Sequence, residues 1–212
     1  MTGKNTIYPF MDGSGLPVKK ILSSKKIRYV IEWLFKWFYK FRGWKLGENV
    51  PPELKKCVMI VAPHTSGWDF LFGAGAKLLL NFDAKYLAKK ELFRWPLKGM
   101  FLRLGGVPVD RGKHNGMVEA MIDYLNTNER AIVVFPPEGT RKRVRKWKRG
   151  FYYVALGANV PIIMAYIDYR GKKAGMGPWF MPSGDIKKDF EIIADFYKNI
   201  TACHPDKFAL PE

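Results

Sequence analysis

The sequence predicts an α/β domain: a mixed, largely parallel sheet flanked by helices, with an interfacial amphipathic helix at its N-terminal side. Short apolar runs alternate with longer mixed segments from Cys57 onward, and a segment dense in aromatic and basic residues precedes them. The 212 residues favour one hydrophobic core, and a content of 48% hydrophobic and 26% charged residues excludes wholesale disorder. We expect an arm and helix over residues 1–45 and a folded domain over residues 46–212.

The N-terminal region is divided into a polar arm and an aromatic helix. Residues 1–22 lack the apolar run of a secretory signal, so we expect a cytosolic arm. Residues 25–41 predict one helix whose aromatics are too numerous for a narrow core-facing stripe, which favours a position at a membrane interface. The alternative is a helix that covers the core and keeps its lysines in solvent. Lys or Arg interrupts every apolar stretch, so we expect no membrane-spanning helix.

The strands and helices of the domain follow from the alternating pattern. Apolar runs predict strands at Val58–Ala62, Lys85–Ala88, Val107–Val109, Ala131–Phe135 and Pro161–Ile167. Mixed segments predict helices near residues 69–80, 91–103, 114–127 and 150–158, and a closing helix over residues 185–199. This alternation of strands and helices is typical of an α/β domain.

Charge limits the class of partner. Lys and Arg number 36 against 19 Asp and Glu, and the resulting net charge of +17 attracts nucleic acid, an anionic membrane or phosphorylated substrates. Residues 141–149 are basic except for Val144 and Trp147, and they would attract lipid headgroups or donor phosphates, or form a solvated loop. Cys57 and Cys203 are too far apart in the sequence for a disulfide scaffold or a metal knuckle. We expect a reduced intracellular protein without a metal site.

A histidine and an aspartate follow the first predicted strand of the domain. His64 comes directly after the apolar run that ends at Ala62, and Asp69 lies five residues further on. A histidine beside a carboxylate is a general-base arrangement, because the imidazole takes a proton from a hydroxyl while the carboxylate orients the ring. A His and an Asp at this spacing are also compatible with a structural role.

Two further strand ends carry charged residues. Glu138-Gly139-Thr140-Arg141 follows the strand that ends at Phe135; its Gly lets a backbone approach a ligand, and its Arg can clamp a phosphate. Asp110-Arg111 follows the strand that ends at Val109. Each segment is also compatible with an ordinary surface turn. Charged residues nevertheless follow three of the predicted strands, those that end at Ala62, Val109 and Phe135.

Four blocks, taken in order, resemble the glycerophosphate and lysophosphatidate acyltransferases over roughly residues 50–200. They are His64-Thr65-Ser66-Gly67-Trp68-Asp69, Gly106-Val107-Pro108-Val109-Asp110-Arg111, Pro137-Glu138-Gly139-Thr140-Arg141 and Val160-Pro161-Ile162. The resemblance implies transfer of an acyl group from a CoA or carrier-protein thioester to the hydroxyl of a lysolipid such as 1-acyl-glycerol-3-phosphate, in membrane lipid synthesis. It implies no cofactor and no covalent acyl-enzyme.

The resemblance also implies roles for single residues and partners. His64 is the expected base and Asp69 its orienting group, while the acceptor's polar head is held by Arg111, Glu138, Gly139, Thr140 and Arg141. The expected partners are an anionic membrane surface on the cytoplasmic face, the lysolipid acceptor and the thioester donor, with no nucleic acid. We expect a peripheral membrane protein.

Departures from the family's blocks leave the acceptor open. Pro136, Lys142 and Pro63 stand where the family usually has Phe, Ser and Asn. A lysolipid without phosphate, such as an acylated amino acid, is therefore an alternative acceptor. Two other functions stay open: a hydrolase that uses the same pair to activate water on a lipid ester, and a basic nucleic-acid-binding protein that combines cations with aromatic side chains.

Overall fold

The computed structural model describes residues 25–89, 94, 98–103, 105–109 and 116–212. The strands in these residues are β1 (Lys45–Leu46), β2 (Lys56–Ala62), β3 (Lys85–Lys89), β4 (Gly106–Val109), β5 (Ala131–Phe135), β6 (Ile162–Asp168) and β7 (Lys173–Phe180). The helices are α1 (Lys25–Phe41), α2 (Gly67–Leu80), α3 (Lys98–Arg103), α4 (Met117–Thr127), α5 (Gly150–Gly157) and α6 (Ile186–Tyr197), followed by a 3-10 turn at Pro205–Lys207.

The strands of the described residues form one sheet in the order β1-β7-β6-β2-β5-β3-β4. Pairing is parallel from β6 through β2, β5 and β3 to β4, whereas β7 runs antiparallel to β6 and pairs in parallel with β1. The predicted mixed, largely parallel sheet is therefore confirmed. Because β2, β5 and β6 are neighbours, the loops that follow them meet at one edge of the sheet.

The predicted strands are confirmed to within two residues at either end. The helices near residues 69–80 and 150–158 and the closing helix are confirmed with similar bounds, while parts of the helices near 91–103 and 114–127 lie outside the described residues. The sequence did not predict β1 or β7. Both belong to the side of the sheet where strand direction reverses.

The central strand β2 is apolar along almost its whole length, as expected for a parallel strand covered on both faces. The largest cluster of buried side chains lies on one face, where α4, α5 and α6 contribute Leu125, Phe151 and Ile193. The opposite face carries a second cluster around Cys57, Met59 and Ile163. The packing leaves the carboxyl edge of β2 free to carry a loop.

Helix α1 has two apolar faces. One packs on α2: Tyr39 is buried, its hydroxyl donates to the carbonyl of Phe72, and Gly75 leaves the space that the rings of Phe35 and Tyr39 occupy. The other face is exposed and follows helical spacing along the chain; it consists of Tyr29, Val30, Trp33, Leu34, Trp37 and Phe41. We call this set the aromatic face. Within the described part of the chain, every helix is too short or too polar to span a bilayer.

Candidate active site

The predicted pair His64 and Asp69 meets in the loop between β2 and α2. Nδ1 of His64 lies 3.3 Å from Oδ2 of Asp69, the long end of the range for a hydrogen bond. Ser66 begins α2 as its N-cap, and its hydroxyl accepts a hydrogen bond from the Trp68 amide at 3.2 Å. Asp69 occupies the first turn of the helix, so its carboxylate turns back onto the loop that carries His64.

The carboxylate of Asp69 organises this loop. Oδ2 accepts hydrogen bonds from the backbone amides of Thr65 and Ser66, each at 2.7 Å, and Oδ1 accepts one from the hydroxyl of Tyr169 at 2.7 Å. Burial alone would raise the pKa of Asp69, but hydrogen bonds from His64, the Ser66 amide and Tyr169 outweigh it and hold the pKa below its usual value. Asp69 is therefore a buried, ionised carboxylate.

The histidine ring presents its second nitrogen to a ligand. Because Nδ1 faces Asp69, Nε2 is the ring nitrogen free to meet a substrate. The side chain of His64 is 29% exposed, against 2% for that of Asp69, so the imidazole lies at the surface of the site and the carboxylate beneath it. This arrangement suits a general base whose tautomer is fixed by a buried anion.

Tyr169 is a component of the site that the sequence did not predict. It follows β6 directly, and burial and the Asp69 charge raise the pKa of its hydroxyl, which stays protonated as a donor. Its ring packs edge-on against Trp44 and Phe72. Since 100 positions separate Tyr169 from Asp69, only the neighbouring positions of β2 and β6 in the sheet bring them together.

Glu138 joins the loop after β5 to the histidine. The side chain is buried, and Oε1 accepts a hydrogen bond from the backbone amide of His64 at 2.7 Å. The pKa of Glu138 is raised to about 7. Burial is the main cause and the Asp69 charge adds to it, while the hydrogen bond from the His64 amide lowers the pKa. The sequence predicts that Glu138 binds the acceptor, and the structure adds that its carboxyl group holds the backbone of the His64 loop.

Glu138 predicts a specific pH dependence of stability. Folding raises the pKa of Glu138. At pH values between the ordinary pKa of a glutamate and about 7, the folded chain therefore binds more protons than the unfolded chain. The free energy of unfolding should therefore fall as pH rises through that window. Glu138→Gln keeps an oxygen acceptor for the His64 amide and removes the titrating group. Between about pH 5 and about pH 8, the free energy of unfolding of this variant should therefore fall less than that of the wild type, by on the order of 2–3 kcal/mol.

Urea unfolding of both proteins at about pH 5 and about pH 8 measures this difference. The lowered pKa of Asp69 adds stability that is lost as pH falls, but both proteins share that contribution, so their difference isolates Glu138. An identical pH dependence in the two proteins would contradict a buried, titrating Glu138.

The rest of the loop brings cations to the site. Gly139 adopts a left-handed conformation with φ of 67°, and a Cβ there would lie 2.7 Å from Cε of Lys148, whose aliphatic chain covers this position. Arg141 is exposed, and its Nη1 would lie 3.4 Å from a Cβ on Gly67, so the guanidinium borders the start of α2. The Thr140 hydroxyl accepts a hydrogen bond from the Lys142 amide at 3.2 Å and thus supports the loop itself.

One predicted binding residue cannot be placed relative to these groups. Arg111, like Asp110, lies outside the described residues. Among the residues that are described, no three His, Cys, Asp or Glu side chains are arranged to hold a metal ion. The groups that meet at the sheet edge are therefore an imidazole, two buried carboxyl groups, a tyrosine hydroxyl and neighbouring cations.

Comparisons with known proteins relate this chain to acyltransferases. The family profile described as acyltransferase matches residues 45–168. The 1-acyl-sn-glycerol-3-phosphate acyltransferase of Limnanthes alba is 26% identical over 153 residues, which is 69% of this chain and 52% of that protein. The 1-acyl-sn-glycerol-3-phosphate acyltransferase beta of Homo sapiens is 31% identical over 143 residues, 63% of this chain and 50% of that protein. The chain thus spans about half the length of these two relatives.

A solved structure shares the fold. The crystal structure of the 1-acyl-sn-glycerophosphate (LPA) acyltransferase PlsC from Thermotoga maritima superposes with a TM-score of 0.56 and 18% sequence identity. The superposition covers 83% of this chain and 81% of that one. At this identity the likeness concerns the arrangement of strands and helices.

Proposed function

This chain belongs to the acyltransferase family, and we propose that it transfers a fatty acyl group from a CoA or carrier-protein thioester to the hydroxyl of a lysophospholipid. A lysolipid of the 1-acyl-glycerol-3-phosphate type is the acceptor we propose, with membrane lipid synthesis as the setting. The observation that carries the proposal is the contact between Nδ1 of His64 and Oδ2 of Asp69 at the carboxyl edge of the sheet.

The chemistry that we propose is direct transfer. Nε2 of His64 takes the proton of the acceptor hydroxyl while the hydroxyl oxygen attacks the carbonyl carbon of the thioester. The buried carboxylate of Asp69 stabilises the imidazolium that forms. Collapse of the tetrahedral intermediate breaks the carbon–sulfur bond. The departing thiolate takes the proton from His64, so the products are an ester and a free thiol, and the enzyme returns to its starting state.

The acceptor's phosphate would be held by cations of the loop after β5. Arg141 borders the first turn of α2, close in the fold to the His64 loop, and a guanidinium fork suits phosphate oxygens. Gly139 and Thr140 shape this loop, Glu138 holds it to the His64 backbone, and Arg111 is proposed as a second cation. This set accounts for the binding residues expected from the sequence.

Purified protein, a labelled acyl thioester and a panel of lysolipids test the proposal. The panel should include 1-acyl-glycerol-3-phosphate, a neutral monoacylglycerol and an acylated amino acid, each with CoA and carrier-protein donors. We expect ester formation with the phosphate-bearing acceptor. Acylation of the acylated amino acid alone would replace the acceptor that we propose, and release of free fatty acid without esterification would favour the hydrolase.

Arg141→Ala should raise KM for the phosphate-bearing acceptor. Loss of a hydrogen bond between charged groups costs about 1.5–3 kcal/mol, so we expect KM to rise by roughly 10–150-fold with a much smaller change in the donor KM. Lys142→Ala is the matched control, because Lys142 is the adjacent exposed cation of the same loop. Equal effects of Arg141→Ala on both substrates would oppose a phosphate clamp, as would equal effects of the two variants.

We further propose that the protein acts as a peripheral protein on the cytoplasmic face of an anionic membrane. The exposed aromatic face of α1 and the net charge of +17 support this, because aromatic rings and basic side chains together suit the headgroup region. We retain the division into an N-terminal arm and interface helix, residues 1–45, and an acyltransferase domain, residues 46–212. Nucleic acid is not among the partners that we propose.

Trp33→Ser combined with Trp37→Ser should weaken binding to anionic vesicles. Both rings are more than half exposed, so their loss leaves the core intact, whereas deletion of α1 would also remove buried Tyr39. We expect the vesicle Kd to rise by roughly 10–100-fold, since each inserted ring buries apolar area. Trp179→Ser is the control, because Trp179 is an exposed tryptophan on β7. If the double variant and the Trp179→Ser control float with vesicles equally well, the membrane contact lies outside the aromatic face of α1.

A further inference from the structure

A cleft with a volume of about 320 Å³ lies between the end of α1 and the turn that joins β6 to β7. Its walls are aromatic and basic, and among the residues that the structure describes no acidic side chain lines it. The lining consists of Phe41, Arg42, Trp44, Phe72, Tyr169 and Lys172. We call it the Arg42 cleft.

Two cations flank the Arg42 cleft without a carboxylate partner. Arg42 and Lys172 are both exposed, and within the described part of the chain neither forms an ion pair. Nζ of Lys172 would lie 3.7 Å from a Cβ on Gly43, next to Arg42 in the chain. Lys172 has a φ of 47°, a conformation that is uncommon for a residue with a side chain. Two exposed cations thus border one small volume, which suits an anion.

Packed aromatic rings form the floor of the cleft. Trp44 and Phe72 stack with their ring centroids 3.8 Å apart, and Tyr169 packs edge-on against both rings. Trp44 and Phe72 are buried, so a ligand that combines an anionic group with an adjoining apolar part would meet the two cations and the exposed ring of Phe41.

The mouth of the cleft continues into the aromatic face. Phe41 lines the cleft and is 73% exposed as part of that face. The guanidinium of Arg42 also lies 5.9 Å from the centre of the Trp68 ring, which is 51% exposed. A free phosphate ion would leave these rings in water, whereas a phospholipid seated in a bilayer would cover them.

The cleft is separated from the reacting nitrogen. Tyr169 lines it and donates to Oδ1 of Asp69, whereas Nδ1 of His64 faces Oδ2. Tyr169 and Asp69 therefore lie between the cleft and the His64 ring. This geometry suits a lipid that stays bound, in addition to the acceptor that reacts.

We propose that the Arg42 cleft binds the phosphate headgroup of an anionic bilayer phospholipid, which docks the catalytic loop at the membrane surface. Arg42 and Lys172 hold the phosphate, and the exposed ring of Phe41 contacts the glycerol portion. The inference rests on the proposed action at a membrane, and it adds one lipid site to the general attraction of a basic protein for anionic lipid.

Vesicle binding by the full chain tests the site. The variant Arg42→Gln/Lys172→Gln is compared with Lys187→Gln/Lys188→Gln, which removes the same charge from exposed positions on α6. On phosphatidylcholine vesicles that contain phosphatidylglycerol, we expect the Kd of the first variant to rise by roughly 10–30-fold and that of the control by a few-fold at most. Circular dichroism melting confirms that both variants are folded.

The outcomes separate the site from the function on which it rests. If the wild type binds no vesicles, membrane action itself fails. If the wild type binds and the two variants weaken binding equally, general charge is sufficient and the Arg42 cleft is not a lipid site. Binding of inorganic phosphate that depends on Arg42 and Lys172, with unchanged vesicle binding, would assign the cleft to a soluble anion. A raised acceptor KM with unchanged vesicle binding would assign it to the acceptor.

Discussion

His64→Ala is expected to lower kcat for acyl transfer by roughly 10²–10⁴-fold, the usual contribution of a general base. The substitution removes the only described imidazole beside a buried carboxylate, and it leaves the backbone amide that donates to Glu138 in place. Thermal unfolding should therefore change little. The measurement is the initial rate of ester formation from a labelled acyl thioester and a lysolipid at saturating concentrations of both.

His204→Ala is the matched control for this experiment. The His204 side chain is exposed, and the described contact of this residue with the site is made by its backbone amide, which donates to Oγ1 of Thr65 at 3.1 Å. Its rate should equal that of the wild type. A His64→Ala protein that keeps the wild-type kcat would remove His64 as the base and require another proton acceptor.

Asp69→Asn should cause a loss of rate of similar size, about 10²–10⁴-fold, with a larger cost in stability than His64→Ala. The amide can keep its oxygen towards the Thr65 and Ser66 amides and turn its nitrogen to the Tyr169 hydroxyl, which can accept as well as donate. The loop then keeps its hydrogen bonds but loses the negative charge that stabilises the imidazolium. We expect a decrease of about 1–3 kcal/mol in the free energy of unfolding, because the Thr65 and Ser66 amides lose a charged acceptor.

Tyr169→Phe separates the effect of the Asp69 charge from the effect of the hydrogen bonds that position its carboxylate. This variant removes one donor to Oδ1 and leaves both the Asp69 charge and the His64 contact in place. We expect kcat to fall by about tenfold, the lower end of what a hydrogen bond to a charged group contributes, because the Asp69 charge itself remains. If Tyr169→Phe and Asp69→Asn lowered kcat equally, the position of the carboxylate would matter more than its charge.

Periodicity was sufficient to predict the strands that form the centre of the sheet. β2, β5 and β6 are short apolar runs bounded on at least one side by proline, and most of their side chains are covered on both faces. The candidate pair was predictable for a local reason, since His64 and Asp69 are separated by one helical N-cap. Motif order then related this pair to Glu138 and Arg141, which lie far from it in the chain.

β7 escaped prediction because close packing replaced its apolar pattern with small residues. A Cβ on Gly175 would lie 2.6 Å from the Cα of Gly47, and one on Gly177 would lie 2.3 Å from the Phe196 ring. Glycine and proline in a strand normally argue against it. β1 was too short to give any pattern.

Long-range contacts of single residues were also beyond sequence reasoning. Tyr169 reaches Asp69 from the end of another strand, and nothing near Tyr169 in the sequence marks it as part of a site. The contact of Glu138 with the His64 amide was equally hidden, because any residue type has a backbone amide there. Sheet order determines both contacts, and a single sequence does not specify sheet order.

The two outer strands of the sheet have a consequence for how the protein avoids aggregation. Within the described residues the sheet ends at β4, which includes Pro108, and at the two-residue β1, beyond which the end of β7 with Pro178 forms the edge. Neither proline has an amide hydrogen to donate, so neither edge is a good template for a strand of another molecule. The largest group of exposed aromatic rings belongs instead to α1, whose backbone groups are paired within the helix. Molecules that meet through those rings cannot extend the contact into a continuous β-ladder.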